Sequence, residues 1–191
     1  MASPLISRKK NPIHETISYY LEKEPESCLV AEYNGKVVGY LLGCIDDRNN
    51  PESILIFILE ALARYPKMLF MDKKDRRFWK GQNNVMWNAA FGKSEEARLK
   101  HLSNAGHIHI NLLPKARGKG VGTRLLKAFF KYAKSKGIKT IHADSFQTRL
   151  NPNGRFWQKN GFKEYSKVKT TFWKQYYPKE AMHLVCYYRK I

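Results

Sequence analysis

The chain has 191 residues, of which 43% are hydrophobic and 13% aromatic. That is enough apolar material for one domain with its own core, and it excludes a disordered chain. Against 16 Asp and Glu stand 35 Lys and Arg, a formal charge of +19; the lysines are dispersed rather than gathered in one tail, which fits a solvated cationic surface better than a dedicated nucleic-acid stripe.

Three cysteines, Cys28, Cys44 and Cys186, lie in apolar, strand-like runs and match no metal-binding spacing. They read as buried thiols in a reducing compartment, with no metal expected. No signal peptide is recognisable, and the most apolar run, 54–63, is interrupted by Glu60 and too short to cross a bilayer. The expected location is cytoplasmic. Monomer and homodimer are both open.

Residues 1–12 are polar and basic with Pro4 and Pro12, leaving room for a weak strand at 5–7. Residues 13–24 predict a helix with Ile17, Tyr20 and Leu21 on one side. A strand at 28–33, the dipeptide Asn34-Gly35 and a return strand at 37–45 predict a tight β-hairpin, because Asn-Gly supplies the two left-handed residues such a turn needs. Residues 47–106 are helical in character, with segments at 53–64, 75–91 and 94–102, the last with Ser94 as N-cap. Phe78, Trp79, Trp87 and Phe91 read as core of that insert, which serves either as a lid or pocket wall or as packing.

At 107–137 the chain reads HIHINLLPKARGKGVGTRLLKAFFKYAKSKG. It begins as a strand, 107–113, which Pro114 stops. A basic loop with Gly118, Gly120 and Gly122 follows. Val121, Leu125, Ala128, Phe129 and Tyr132 then recur at helical spacing, and Gly137 sits where a C-terminal cap belongs. Further on, 139–144 predicts a short strand, 151–153 a turn, 154–159 a helical turn capped by Asn160-Gly161, and 162–169 and 182–189 two final strands. The strands flanking the central helix should be parallel, a β-α-β unit within a mixed sheet: an α/β (α+β) class, with 1–191 as a single domain.

A strand–glycine loop–helix junction binds anions. The first helical turn has backbone N–H groups without partners and the positive end of the helix dipole, and glycines let a phosphate approach the main chain. Arg117, Lys119 and Arg124 add charge. Neither a P-loop nor a G-x-G-x-x-G dinucleotide fingerprint is present, whereas R-x-x-G-x-G fits at Arg117, Gly120 and Gly122.

That run resembles the acyl-CoA pyrophosphate loop of the GNAT superfamily of N-acetyltransferases. The hairpin LVAEYNGKVVGYLLG is similar to the second and third strands of that fold. The combination of a G-Y-L-L-G hairpin, a long helical insert and an H-I-H-I central strand resembles a bacterial subset of it. The resemblance spans roughly residues 28–163, and the insert before the central strand departs from the usual direct connection. It implies acetyl-CoA as cosubstrate and an amine-bearing small molecule or peptide as acceptor. It also implies that main-chain groups of Asn111, Leu112 and Leu113 pair with the pantetheine arm. The pyrophosphate would be held by Arg117, Gly118, Lys119, Gly120, Val121, Gly122 and Thr123.

Acyl transfer to an amine also needs a base. His107 and His109, two apart on a strand, point to one face and are the first candidates. Asp144, at the end of the next strand with His142 on the same face, is the third. The final GNAT motif commonly reads N-x-x-A-x-x-x-Y-x-x-x-G-F, its tyrosine protonating the departing thiolate. Here NPNGRFWQKNGF keeps Gly161 and Phe162 but places Trp157 at the tyrosine position, and the asparagine falls at Asn151 or Asn153. An indole donates a hydrogen bond but is no acid. Trp157 is therefore expected to pack on the pantetheine arm, and the thiolate leaves unaided, or Tyr165 or water supplies the proton. The reading is an acetyl-CoA-dependent N-acetyltransferase. Its alternatives are a catalytically silent GNAT-fold binding module and a basic nucleic-acid-associated acetyltransferase.

Overall fold

The computed structural model describes residues 20–22, 24–45, 76, 80, 81, 88, 91, 95, 98–100, 102–149, 153–171, 173, 174, 176, 177 and 179–191. The strand expected at 5–7, most of the helix at 13–24 and most of the insert at 47–106 lie outside these residues. The strands are β1 Leu29–Tyr33, β2 Lys36–Cys44, β3 Gly106–Leu112, β4 Thr140–Gln147, β5 Lys163–Lys169 and β6 His183–Lys190. Helix α1 spans Val121–Ser135 and α2 Gly154–Lys159. The hydrogen-bonded strand order is β1-β2-β3-β4-β6-β5, with β1–β2 antiparallel and β3–β4 parallel, so the sheet is mixed.

By contacts the chain divides into two compact units. The first comprises Met1–Ile45 and Ile108–Gly137. Its hairpin turns at Asn34 and Gly35, both with positive φ, as the two-residue turn requires. Tyr20, Leu42 and Cys44 pack together, flanked by Cys28 and Tyr40. Glu24 ties the end of β2 by accepting from the Ile45 amide at 2.7 Å and the Cys44 thiol at 3.1 Å.

Helix α1 buries Gly122, Leu125, Leu126, Phe129, Phe130 and Ala133. Ala128 is exposed, and Val121 and Tyr132 are only half-buried, so the buried stripe is rotated from the expected one. The pairs Leu125-Leu126 and Phe129-Phe130 are the reason. Each puts two large apolar groups side by side, and the helix turns to bury both. The Phe129 ring occupies the space where a Cβ on Gly43 would lie, so only glycine fits that point of β2.

The second unit comprises Asp46–His107 and Ile138–Ile191. The β4–β6 ladder runs from Thr140↔Lys190 to Gln147↔His183, and β5 pairs antiparallel with the other edge of β6, with a register shift between Glu164 and Ser166. Strand β4 is longer than the 139–144 expected, because pairing with β6 carries Ser145, Phe146 and Gln147 into the sheet. Trp157, Phe162 and Tyr187 form the aromatic part of this core. The side chain of Ser166 bonds both the amide and the carbonyl of Lys100, at 3.1 and 2.8 Å, pinning the segment before β3 to β5.

Candidate functional site

In the first unit, β3 leads through a 3-10 turn at Pro114–Ala116 into the glycine loop and α1. Gly118 and Gly120 have φ of +73° and +74°, a conformation that costs an L-residue roughly 1–2 kcal/mol. An added Cβ at Gly118 would meet nothing within 4 Å, and at Gly120 only an Arg124 guanidinium nitrogen at 3.8 Å. The glycines thus answer to backbone shape, and the space beside them is open. Gly120 is the N-cap of α1 and provides no side-chain cap. The first turn carries no acidic residue, and the earliest helical bond runs from the Arg124 amide to the Gly120 carbonyl at 3.0 Å. The amides of Val121, Gly122 and Thr123 precede that bond and form the positive end of a fifteen-residue helix.

The charge around this turn is of one sign. Arg117, Lys119 and Arg124 are exposed, and no Asp or Glu occurs from His107 to Ala143. Amides, the helix dipole and three cations come together at this turn. The donor set fits the group that the R-x-x-G-x-G pattern implies.

The edge of β3 is more selective than the sequence indicated. The Leu113 amide donates to the Val38 carbonyl at 2.9 Å, so it is already engaged with β2. Main-chain groups alternate between the two edges of a strand, so His109 and Asn111 turn the same way as Leu113, and Ile110 and Leu112 turn to the opposite edge. The Leu112 carbonyl shows that direction by accepting from Arg117 Nε at 3.2 Å. Sequence reasoning did not single out Ile110, whose main chain shares the Leu112 edge. Strand alternation was the available signal, but it needs one known hydrogen bond to say which edge is which. Asn111 is exposed, and its side-chain amide bonds the Tyr40 hydroxyl at 3.0 Å.

The two histidines of β3 have different surroundings. His109 is half-buried and meets the Tyr20 ring edge-on, with centroids 5.6 Å apart. His107, at the start of the strand in the second unit, is buried and stacked on His142, with centroids 4.6 Å apart. Asp144 is half-buried on β4, on the face that His142 shares, and opposite Cys186 of β6 in the ladder. Cys186 Sγ lies 4.0 Å from His142 Nδ1. Burial first, then the charge of Asp144 and its hydrogen bond, push the Cys186 thiol well above its ordinary range. Sequence reasoning placed His142 beside Asp144 but not Cys186, which is brought in only by the β4–β6 register.

Trp157 is 4% exposed, enclosed by Phe156, Phe162 and Tyr187 at centroid distances of 5.1, 5.0 and 6.1 Å. The indole is a core group of the second unit. Asn153 is the N-cap residue of α2 and donates from its side chain to the Phe146 carbonyl at 3.2 Å, tying the helix start to the end of β4. Asn151 lies outside the described residues. Tyr165 is 46% exposed on β5 and edge-on to Tyr188. Among the described residues no helix is long and apolar enough to cross a membrane.

Compared with known proteins, residues 80–164 match the family described as "Acetyltransferase (GNAT) domain". A comparison with curated proteins finds no match. Among solved structures, a mutant of agmatine N-acetyltransferase in its apo form superposes with a TM-score of 0.56 at 15% identity, covering 97% of this chain and 84% of that one. An N-acetyltransferase from Staphylococcus aureus Mu50 gives 0.52 at 19% identity, over 96% and 80% of the two chains. A ribosomal-protein-alanine N-acetyltransferase from Brucella melitensis gives 0.50 at 16% identity, over 93% and 78%. At these identities the likeness shows the fold.

Proposed function

We propose, from the premise that this chain carries a GNAT-type acetyltransferase domain, that residues 1–191 act as one acetyl-CoA-dependent N-acetyltransferase domain acting on a primary amine. The observation that carries this is the α1 N-terminus, without a side-chain cap and preceded by two left-handed glycines, with cations around it. Arg117, Gly118, Lys119, Gly120, Val121, Gly122 and Thr123 hold the diphosphate of the coenzyme. The edge of β3 at Ile110 and Leu112, opposite the one that bonds β2, pairs with the pantetheine arm as an added strand would, and an amide of that edge polarises the thioester oxygen.

The amine nitrogen attacks the thioester carbonyl, its N–C bond forms and the C–S bond breaks, and the electron pair leaves on sulfur. The proton lost by the amine goes to His109, half-buried in the same unit as the phosphate loop and two residues before Asn111. His107 and Asp144 rank behind it, since His107 is stacked on His142 and Asp144 is hydrogen-bonded with Cys186. No group with a suitable acidity stands at Trp157, and the thiolate departs as the anion, which its low basicity permits.

Release of free thiol from acetyl-CoA in the presence of a panel of amines tests the reading. The panel holds agmatine and an alanine-ended peptide, from the names of the structural relatives, together with neutral and anionic amines, which a chain of charge +19 attracts more readily. Amine-dependent thiol release supports the transferase. Coenzyme binding by thermal shift without turnover on any amine supports the silent module instead, a reading that Trp157 at the tyrosine position motivates.

A further inference from the structure

The described residues contain a second cluster of chemically capable side chains, separate from the phosphate loop and unused by the transfer. His142 and Asp144 lie two apart on one face of β4, and Cys186 stands beside Asp144 on β6 as its ladder partner. One ligand atom from each, a ring nitrogen, a carboxylate oxygen and a sulfur, falls within 4.8 Å of the others. We infer that His142, Asp144 and Cys186 form a binding site for a thiophilic divalent cation of the zinc class.

The donor set argues for this class. Nitrogen, oxygen and sulfur together suit zinc, cobalt or nickel, whereas magnesium and calcium take oxygen shells. Tetrahedral bonding at about 2.0–2.3 Å puts ligand atoms about 3.5 Å apart. The Cys186 Sγ to His142 Nδ1 distance is 4.0 Å and no pair of the three ligand atoms exceeds 4.8 Å, so the Asp144 and Cys186 side chains move inward to close on a cation. Three protein ligands leave the fourth position for water.

Charge and rigidity agree. A divalent cation with one thiolate and one carboxylate makes a neutral site, which lowers the cost of burying charge. The ring of His142 is 1% exposed and held flat by the stacked His107, so the ligand nitrogen is oriented before any cation arrives.

The test is a titration of the reduced full-length protein with cobalt(II), followed by absorption. One equivalent should produce a thiolate-to-cobalt charge-transfer band and visible d–d bands, and zinc should displace both while magnesium should not. The signal should survive in a Cys28→Ser, Cys44→Ser double variant and in Gly120→Val. It should vanish in Cys186→Ser and require at least tenfold more cobalt in Asp144→Asn. A folded wild type with no thiolate–cobalt band, or a band that persists in Cys186→Ser, overturns the site. Because the readout needs no acetyl-CoA, its failure is distinct from failure of the transferase reading.

Discussion

His107 lies flat on His142: the imidazole centroids are 4.6 Å apart with the planes 26° from parallel, and the same two residues pair across the parallel β3–β4 ladder. His109, two residues on, meets Tyr20 edge-on and is only half-buried. One strand thus places a packed histidine and a more accessible one in succession. His109→Ala should lower turnover at saturating substrates by about 100-fold or more, the usual worth of a general base, with acetyl-CoA affinity nearly unchanged. His107→Ala should lower the melting temperature and spare more of the turnover. Steady-state kinetics and thermal unfolding of both variants check this, and equal turnover losses would assign the base elsewhere.

Trp157 is a packing residue by its 4% exposure. Trp157→Phe should keep turnover within an order of magnitude of wild type. Trp157→Ala should destabilise by about 3–5 kcal/mol in denaturant unfolding, the cost of emptying a large aromatic site. A loss of about 1,000-fold in Trp157→Phe would mean that the indole takes part in the chemistry.

Gly43 faces Phe129 so closely that an added methyl must displace the ring. Gly43→Ala should cost about 1–3 kcal/mol of stability, as overpacking does. Because Phe129 belongs to the buried stripe of α1, acetyl-CoA affinity should fall with it. Urea unfolding and a coenzyme titration measure the two effects.

His183 has a lowered pKa, through burial first and then through Lys167 and Lys169 on β5, with Glu164 opposing. Its neutral form is therefore favoured by folding. The stability this contributes is present above the unfolded value of 6.5 and is lost as pH falls through the lowered folded value. His183→Gln should make the decline in stability below about pH 6.5 shallower than in wild type. Denaturant midpoints measured at several pH values read that slope, and an unchanged slope would remove His183 from the acid response.

Much of the fold was legible because local chemistry decides it. Asn34-Gly35 dictates a turn with two positive φ values, and the change of period after Pro114 separates β3 from α1. The GNAT resemblance read from R-x-x-G-x-G agrees with the family match and with the mixed sheet. What was not legible depends on partners. The buried face of α1 was misjudged by about one position, since two adjacent apolar pairs can be aimed in more than one direction until a sheet is present. The end of β4 is set by β6, and so is the meeting of Asp144 with Cys186, 42 residues apart in sequence. Which way the amides of β3 face was undecided until the Leu113 bond to Val38 fixed the alternation.

The central claim is that the turn at Gly118–Gly120 and the α1 amides hold the coenzyme's diphosphate. Calorimetric titration of acetyl-CoA into wild type, Gly120→Val and Arg117→Glu measures it most directly, with circular dichroism confirming that each variant is folded. One saturable site in wild type is predicted, weakened about 10- to 100-fold in each variant, the worth of one or more charge-assisted hydrogen bonds. Equal affinity in all three proteins, or no binding to wild type, would contradict it.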